Sequence, residues 1–188
     1  MTRIAIALTP RFADWECALP MAVARSYLGV EIVTASPDGR AVTSMGGLRV
    51  TPDLAHAALD SQAFDALVIP GGLAWEKGEA PDFTSLAPAF HAAGKVVAGI
   101  CAAASALAAA GVLNNVAHTG NSLASHKQQA GYRGEALYRA QPQAVSHAGV
   151  ITAPGNSPVT FTTEILKALG LWGPEAAAEL AVFSREHS

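Results

Sequence analysis

Cys101 stands in the stretch VVAGICAAASALAAAG (Val96–Gly111), where a β-branched run gives way to a run of alanines. A thiol at such a join has two uses. It packs as a small apolar group, as buried cysteines often do. Alternatively it is a nucleophile, its thiolate favoured by the free amides and dipole at the start of the following helix. A residue held in a tight strand-to-helix turn takes strained backbone angles that crowd the positions two before and two after it. Those positions are Gly99 and Ala103. Gly-Ile-Cys-Ala-Ala thus has the pattern of a nucleophile elbow, with the Ala102 N–H as one donor for an oxyanion. Taken alone, the motif leaves both uses standing.

Two other stretches supply groups that would make the second use chemically effective. VIPGGLAW ends an apolar run in Pro70-Gly71-Gly72, and paired glycines let backbone come close to a ligand. If that run lies beside the Cys101 strand, the N–H of Gly72 or Leu73 becomes a second oxyanion donor; otherwise Gly71-Gly72 is an ordinary turn. Trp75, just beyond, either lines the pocket or covers the sheet. In RFADWECA, Asp14 and Glu16 fall near the start of a helix, where carboxylates suit the dipole. A carboxyl such as Glu16 held against a thiol in a dry site has a further role: protonated, it donates a hydrogen bond to the thiolate. Cys17 is expected on the helix's inner face as core.

These groups need a scaffold that gathers strand ends. RIAIALT, VEIVTA, DALVIPGG and KVVAGI are short, nearly unbroken apolar runs, as in strands buried on both faces of a parallel sheet. Segments of helical spacing separate them. DWECALPMAVARSYLG stops near Gly29; PDFTSLAPAFHAAG stops at Gly94, with Pro88 expected to kink or split it. CAAASALAAAG is the third, and SPVTFTTEILKALG the fourth, with Ser157 as expected N-cap and Pro158 at the first helical position. PEAAAELAVFSRE is the last. AVTSMGGLRV and AVSHAGVITA read as hairpins turning at Gly46-Gly47 and Ala148-Gly149. Strands alternating with helices predict a doubly wound α/β layer structure. No linker divides the chain, so one domain over residues 1–188 is expected.

Composition narrows the function. The 188 residues are 51% hydrophobic and only 14% charged, which fits a packed core rather than disorder. A net charge of −3 gives no basic footprint for nucleic acid or an anionic membrane. The opening apolar run is cut short by Pro10, Arg11, Asp14 and Glu16, too early for a signal peptide or a span. Two cysteines leave room for at most one bridge, and a reducing cytoplasm is the expected compartment. His118, His126, His147 and the cysteines lack zinc-site spacing, and no G-x-G-x-x-G follows a strand. Neither metal nor cofactor is expected.

Taken in order, IAIALTPRFADWE, DALVIPGG, VVAGICAAASALAAAGVL and ITAPGNSPVTFTTEILKALG resemble the ThiJ/PfpI family of the class I glutamine-amidotransferase-like superfamily. The resemblance covers almost the whole chain. It implies a flavodoxin-like three-layer α/β sandwich with a mostly parallel central sheet, often a homodimer. It also implies that Glu16 is the acidic partner of Cys101 and that the Gly71-Gly72 turn contributes an oxyanion donor. The sequence departs from the family in its histidine. Many members carry one directly after the cysteine, where Ala102 stands, and others one in the loop after the next strand. In NVAHTGNSLASHK that second place falls on Asn121, with His118 three residues earlier and His126 five later. Three residues along a strand reverse a side chain's direction, so His118 serves as base only if the strand has already turned. Asn121 is the competing candidate for lining the site; His126 and His147 are expected at the surface or on local backbone groups.

Three functions compete. In the leading one, Cys101 attacks the carbonyl carbon of a small amide or aldehyde, while Glu16 or His118 moves the proton. In the second, a redox or stress-response protein has Cys101 oxidised and its sulfinate held by Glu16. The third, a glutamine-amidotransferase subunit, needs a secure Cys-His-Glu triad and ranks last.

Overall fold

The computed structural model describes residues 1–184. In chain order the first half is β1 (Arg3–Ala7), α1 (Asp14–Ser26), β2 (Glu31–Ser36), β3 (Val42–Thr43), β4 (Arg49–Val50), β5 (Leu54–Ala55), β6 (Ala66–Ile69), α2 (Leu73–Glu76) and α3 (Leu86–Ala92). The second half is β7 (Val96–Ile100), α4 (Ala102–Ala109), α5 (Leu123–Lys127), β8 (Val145–His147), β9 (Val150–Ala153), α6 (Pro158–Ala168) and α7 (Pro174–Ser184). Of the expected last helix, Arg185 and Glu186 lie outside the described residues.

Seven strands form one sheet in the order β5-β2-β1-β6-β7-β9-β8, parallel except for the β8–β9 pair. The apolar runs are buried on both faces because alternate side chains enter opposite layers. Ile4 and Ile6 pack with Phe161, Ile165 and Leu180 on the side of α1, α6 and α7. Ala5 and Ala7 join Leu67, Val97, Phe90 and Leu107 on the side of α3 and α4. This is the flavodoxin-like α/β sandwich expected from the sequence. After β1 the chain runs outward to β2 and then returns to the other side of β1 as β6. The crevice at such a reversal, beyond the carboxyl ends of the strands, is where open α/β sheets place ligands.

Both expected hairpins form. β3 and β4 make a separate two-stranded sheet. Between β8 and β9, Ala148 (φ +50°) and Gly149 (φ +78°) both sit in left-handed conformations, as a two-residue type I′ turn requires. Pro88 neither kinks nor splits a helix. α3 begins at Leu86, so Pro88 lies in its first turn, where an N–H has no intrahelical partner to lose. Ser157 occupies the N-cap of α6, but its hydroxyl donates to the Pro142 carbonyl and caps nothing.

Candidate active site

Four strand ends converge at the crevice. β1 leads into α1, which carries Glu16; β6 ends two residues before Gly71; β7 ends immediately before Cys101; β9 ends two residues before Gly155. Cys101 has φ +60° and ψ −129°, a conformation that a side chain rarely adopts, and forms the N-cap of α4. Its N–H donates to the Ala153 carbonyl at 2.9 Å, tying the elbow to the neighbouring strand. The crowding foreseen at the elbow is physical: a Cβ on Gly99 would come 2.9 Å from Leu107 Cδ1 and 3.1 Å from the Ala103 carbonyl oxygen.

Glu16 is fully buried beneath this elbow. Its Oε2 accepts the Gly71 N–H at 2.6 Å. Its Oε1 has no hydrogen-bond partner and borders the same narrow space at Gly155 as Cys101 Sγ, and the Cys101 thiol is the side chain that acts on the carboxyl. Burial pushes the Glu16 carboxyl up to about 7, against the opposing pull of the Gly71 N–H and the thiol. Burial, followed by the Glu16 charge, pushes Cys101 up to about 11; the Asn121 and Ala102 N–H groups pull the other way. The two groups are neighbours and titrate as a coupled pair, with burial holding both the carboxyl and the thiol above their ordinary values. Cys17, on the inner face of α1, is pushed up to about 12 chiefly by burial and belongs to the core.

Asn121 also meets the sulfur. Its Nδ2 donates to Cys101 Sγ at 3.2 Å, while its Oδ1 accepts the Gly155 N–H at 3.0 Å. The carbonyl of Gly155 in turn accepts the Trp15 indole N–H at 2.9 Å. Cys101 and Glu16 open onto a cavity of about 710 Å³ whose wall includes Trp15, Asn121, Tyr138 and Gly155. Gly155 has to be glycine. A Cβ there would lie 2.8 Å from Sγ and 3.0 Å from Glu16 Oε1. Gly155→Ala should therefore displace the sulfur and slow alkylation of Cys101 about tenfold, the scale of a modest overpacking cost. Thermal denaturation run alongside checks that the fold survives.

The remaining sequence-derived candidates fall in different places. Gly71 packs beneath Cys101, but its N–H is committed to Glu16, and the Leu73 N–H is committed to the Arg11 carbonyl. The N–H groups of Gly72 and Ala102 have no carbonyl acceptor among the described residues. Gly72 has φ +140°, and a Cβ on it would sit 2.3 Å from the Arg11 carbonyl oxygen, so glycine is required there. Trp75 stacks on Phe83 in a separate cleft beside α4 and does not line the Cys101 cavity. His118 is buried, and its ring is held by the Val116 carbonyl and the Tyr132 hydroxyl, both at 2.8 Å; it makes no hydrogen bond to Cys101. His126 is buried rather than superficial, and it does meet local backbone, at Thr119. His147 is exposed and accepts the Ala117 N–H. The sequence reading missed Trp15, Tyr138 and Gly155. The Pro154-Gly155 strand end repeats the Pro70-Gly71 signal; nothing local in the sequence marks the other two.

Among the described residues, no group of three His, Cys, Asp or Glu side chains is placed to hold a metal ion. No described helix is long and apolar enough to cross a membrane.

Comparison with known proteins places the fold within a family. A solved DJ-1 superfamily protein of Agrobacterium tumefaciens is 66% identical, with both chains covered completely and a TM-score of 0.99. The chain is 32% identical over 174 residues to YoaZ of Bacillus subtilis, named an uncharacterized protease, covering 87% of this chain and 81% of that one. It is 34% identical over 112 residues to a protein of Pyrococcus abyssi named a deglycase, covering 59% and 67%. The DJ-1/PfpI family matches residues 2–168. The chain that places Cys101 over Glu16 belongs to the DJ-1/PfpI family.

Proposed function

We propose that the protein is a cysteine-dependent enzyme acting on a small carbonyl or amide substrate. The observation that carries this reading is the contact of a strained, partly exposed Cys101 with a buried carboxyl whose Oε1 has no other partner. In the first step the Cys101 thiolate attacks the carbonyl carbon. A C–S bond forms, the C=O π pair moves to oxygen, and the resulting alkoxide takes the proton of neutral Glu16, leaving a carboxylate. The N–H groups of Gly72 and Ala102 are the available oxyanion donors. No histidine is needed for this step, and Asn121 takes the place beside the sulfur. Relatives named deglycase and protease favour carbonyl and acyl chemistry at such a site.

The test is a panel of α-oxoaldehydes and small amides offered to wild type and Cys101→Ser. Turnover of at least one class, reduced at least a hundredfold in the variant, is expected. Equal rates in the two proteins would overturn the reading. Absence of turnover together with selective oxidation of Cys101 by peroxide would instead favour the oxidant-sensing role.

We further propose that the protein forms a homodimer. A groove of about 970 Å³ runs between α1, the start of α6 and the end of α7, with Trp15 and Phe183 exposed along it. Apolar surface of this kind is commonly covered by a symmetry mate. Analytical ultracentrifugation at micromolar concentration should give a dimer, and a monomer throughout would contradict the proposal.

A further inference from the structure

His126 lies outside the Cys101 cavity yet is fully buried, and its two nitrogens join the two segments that meet at the sulfur. Nε2 lies 3.2 Å from the Thr119 carbonyl, which can only accept, so Nε2 carries the proton. Nδ1 of the neutral ring then accepts from the Ser105 hydroxyl, also at 3.2 Å. Burial pushes the ring's pKa down, which keeps it in this neutral form. Ser105 stands on α4, the helix that Cys101 caps. Thr119 stands two residues before Asn121, whose amide donates to Sγ.

We propose that His126 is a positioning residue. It fixes the distance between α4 and the 119–121 loop, and so holds the Asn121 amide on the Cys101 sulfur. This inference rests on the reading of Cys101 as an ionising nucleophile. The loop is threaded tightly over the ring. A Cβ on Gly120 would come 2.7 Å from His126 Nε2, so backbone and imidazole are in direct contact. The Tyr138 hydroxyl holds the Gly120 carbonyl from another side, and the Thr119 N–H is held by Thr152 on β9. These other tethers keep the loop present when His126 is changed, while the imidazole links it to Ser105 within the cysteine's own helix, one turn beyond the Asn121 contact it supports. The contacts close a ring: Cys101 to Ser105 along α4, Ser105 to His126, His126 to Thr119, and Asn121 back to Sγ. His118, Tyr132 and Tyr138 pack around the imidazole and fix its plane.

The experiment is a double-mutant cycle read out by the pH dependence of iodoacetamide alkylation of Cys101, on a Cys17→Ala background. Asn121→Ala removes a hydrogen bond to the thiolate and should raise the apparent pKa of alkylation by about one unit. His126→Leu should raise it by about half a unit, and His126→Gln, which retains both a donor and an acceptor, should restore most of that shift. Ser105→Ala, the gentler change, should move it in the same direction and keeps the test open if His126→Leu fails to fold. In the Asn121→Ala background, both the His126→Leu and the Ser105→Ala shifts should vanish. A His126→Leu or Ser105→Ala protein that loses thermal stability with an unmoved alkylation pKa would overturn the proposal. So would shifts that persist without Asn121. If Asn121→Ala itself leaves the pKa unchanged, the Asn121–sulfur contact has no bearing on ionisation, and this inference fails while the Cys101→Ser assay still decides the enzyme reading.

Discussion

Iodoacetamide should alkylate Cys101 along a curve centred near pH 7, with Cys17 remaining unreactive. Burial raises the Glu16 carboxyl to about 7 and the Cys101 thiol to about 11, and in such a coupled pair the question is which atom holds the proton that remains once the first is lost. The thiolate has the N-terminus of α4, the Ala102 N–H and the Asn121 N–H beside it. The carboxylate has one N–H, from Gly71, and its other oxygen is bare apart from the thiol. A proton left on Oε1 satisfies that oxygen and donates to sulfur, whereas a proton left on sulfur strands a buried charge. We therefore expect the thiolate to appear with the first step. At pH 7 about half of Cys101 is then reactive, against about one part in ten thousand for a thiol that waits until 11. Glu16→Gln separates the two arrangements. If the proton already sits on Glu16, the amide substitutes as donor and the alkylation midpoint moves by less than about one unit. If it sits on sulfur, removing the carboxylate frees the thiol and alkylation at pH 7 accelerates by orders of magnitude. Turnover should fall at least a hundredfold in Glu16→Gln in either case, because an amide cannot release the proton that the alkoxide needs.

The elbow is legible in the sequence because its constraints are local. Gly99 and Ala103 are small since the turn at Cys101 leaves space for nothing larger, and both stand within two residues of the thiol. The parallel sheet is legible for a similar reason: IAIA (Ile4–Ala7) and VVAGI are apolar at every turn of the pleat, which only burial on both faces explains. Contacts that span the chain leave no such trace. Trp15 reaches the carbonyl of Gly155 across 140 positions, and no period or spacing announces it. Histidine is the residue type on which sequence reasoning leans most for proton transfer, and it places His118 near the base. The structure instead commits His118 to the Val116 carbonyl and the Tyr132 hydroxyl, and His126 to the Thr119 carbonyl and the Ser105 hydroxyl on α4. Asn121 reaches the sulfur whereas His118, three residues earlier, faces away, as alternation along the chain requires, and Gly120 between them leaves space for the His126 ring. Pro88 misleads for a different reason: its effect depends on where the helix begins, and helix starts are less sharply encoded than helix interiors.

Glu16→Gln should also stabilise the protein at alkaline pH, by an amount that grows across a defined window. Linkage depends on the number of protons the pair binds, not on which atom holds them. The carboxyl rises from an ordinary 4.5 to about 7 on folding. Its contribution is thus fully present below pH 4.5 and is lost as pH climbs through 7. A shift of that size corresponds to about 3 kcal/mol. Glu16→Gln keeps the acceptor for the Gly71 N–H and a donor toward sulfur, and it has no proton to lose. The variant's melting temperature minus that of wild type should rise between pH 4.5 and 8, by roughly 6–12 °C for a chain of this size. Other groups titrate in the same range. His56, His118 and His126 are pushed down by burial, so their contribution is fully present above about 6.5 and is lost as pH falls below it through their lower folded values. They act equally in both proteins and cancel in the difference. A difference that stays flat from pH 4.5 to 8 would mean that Glu16 is ionised in the folded protein at no cost, and the neutral carboxyl would then be unavailable as the proton donor in the first chemical step.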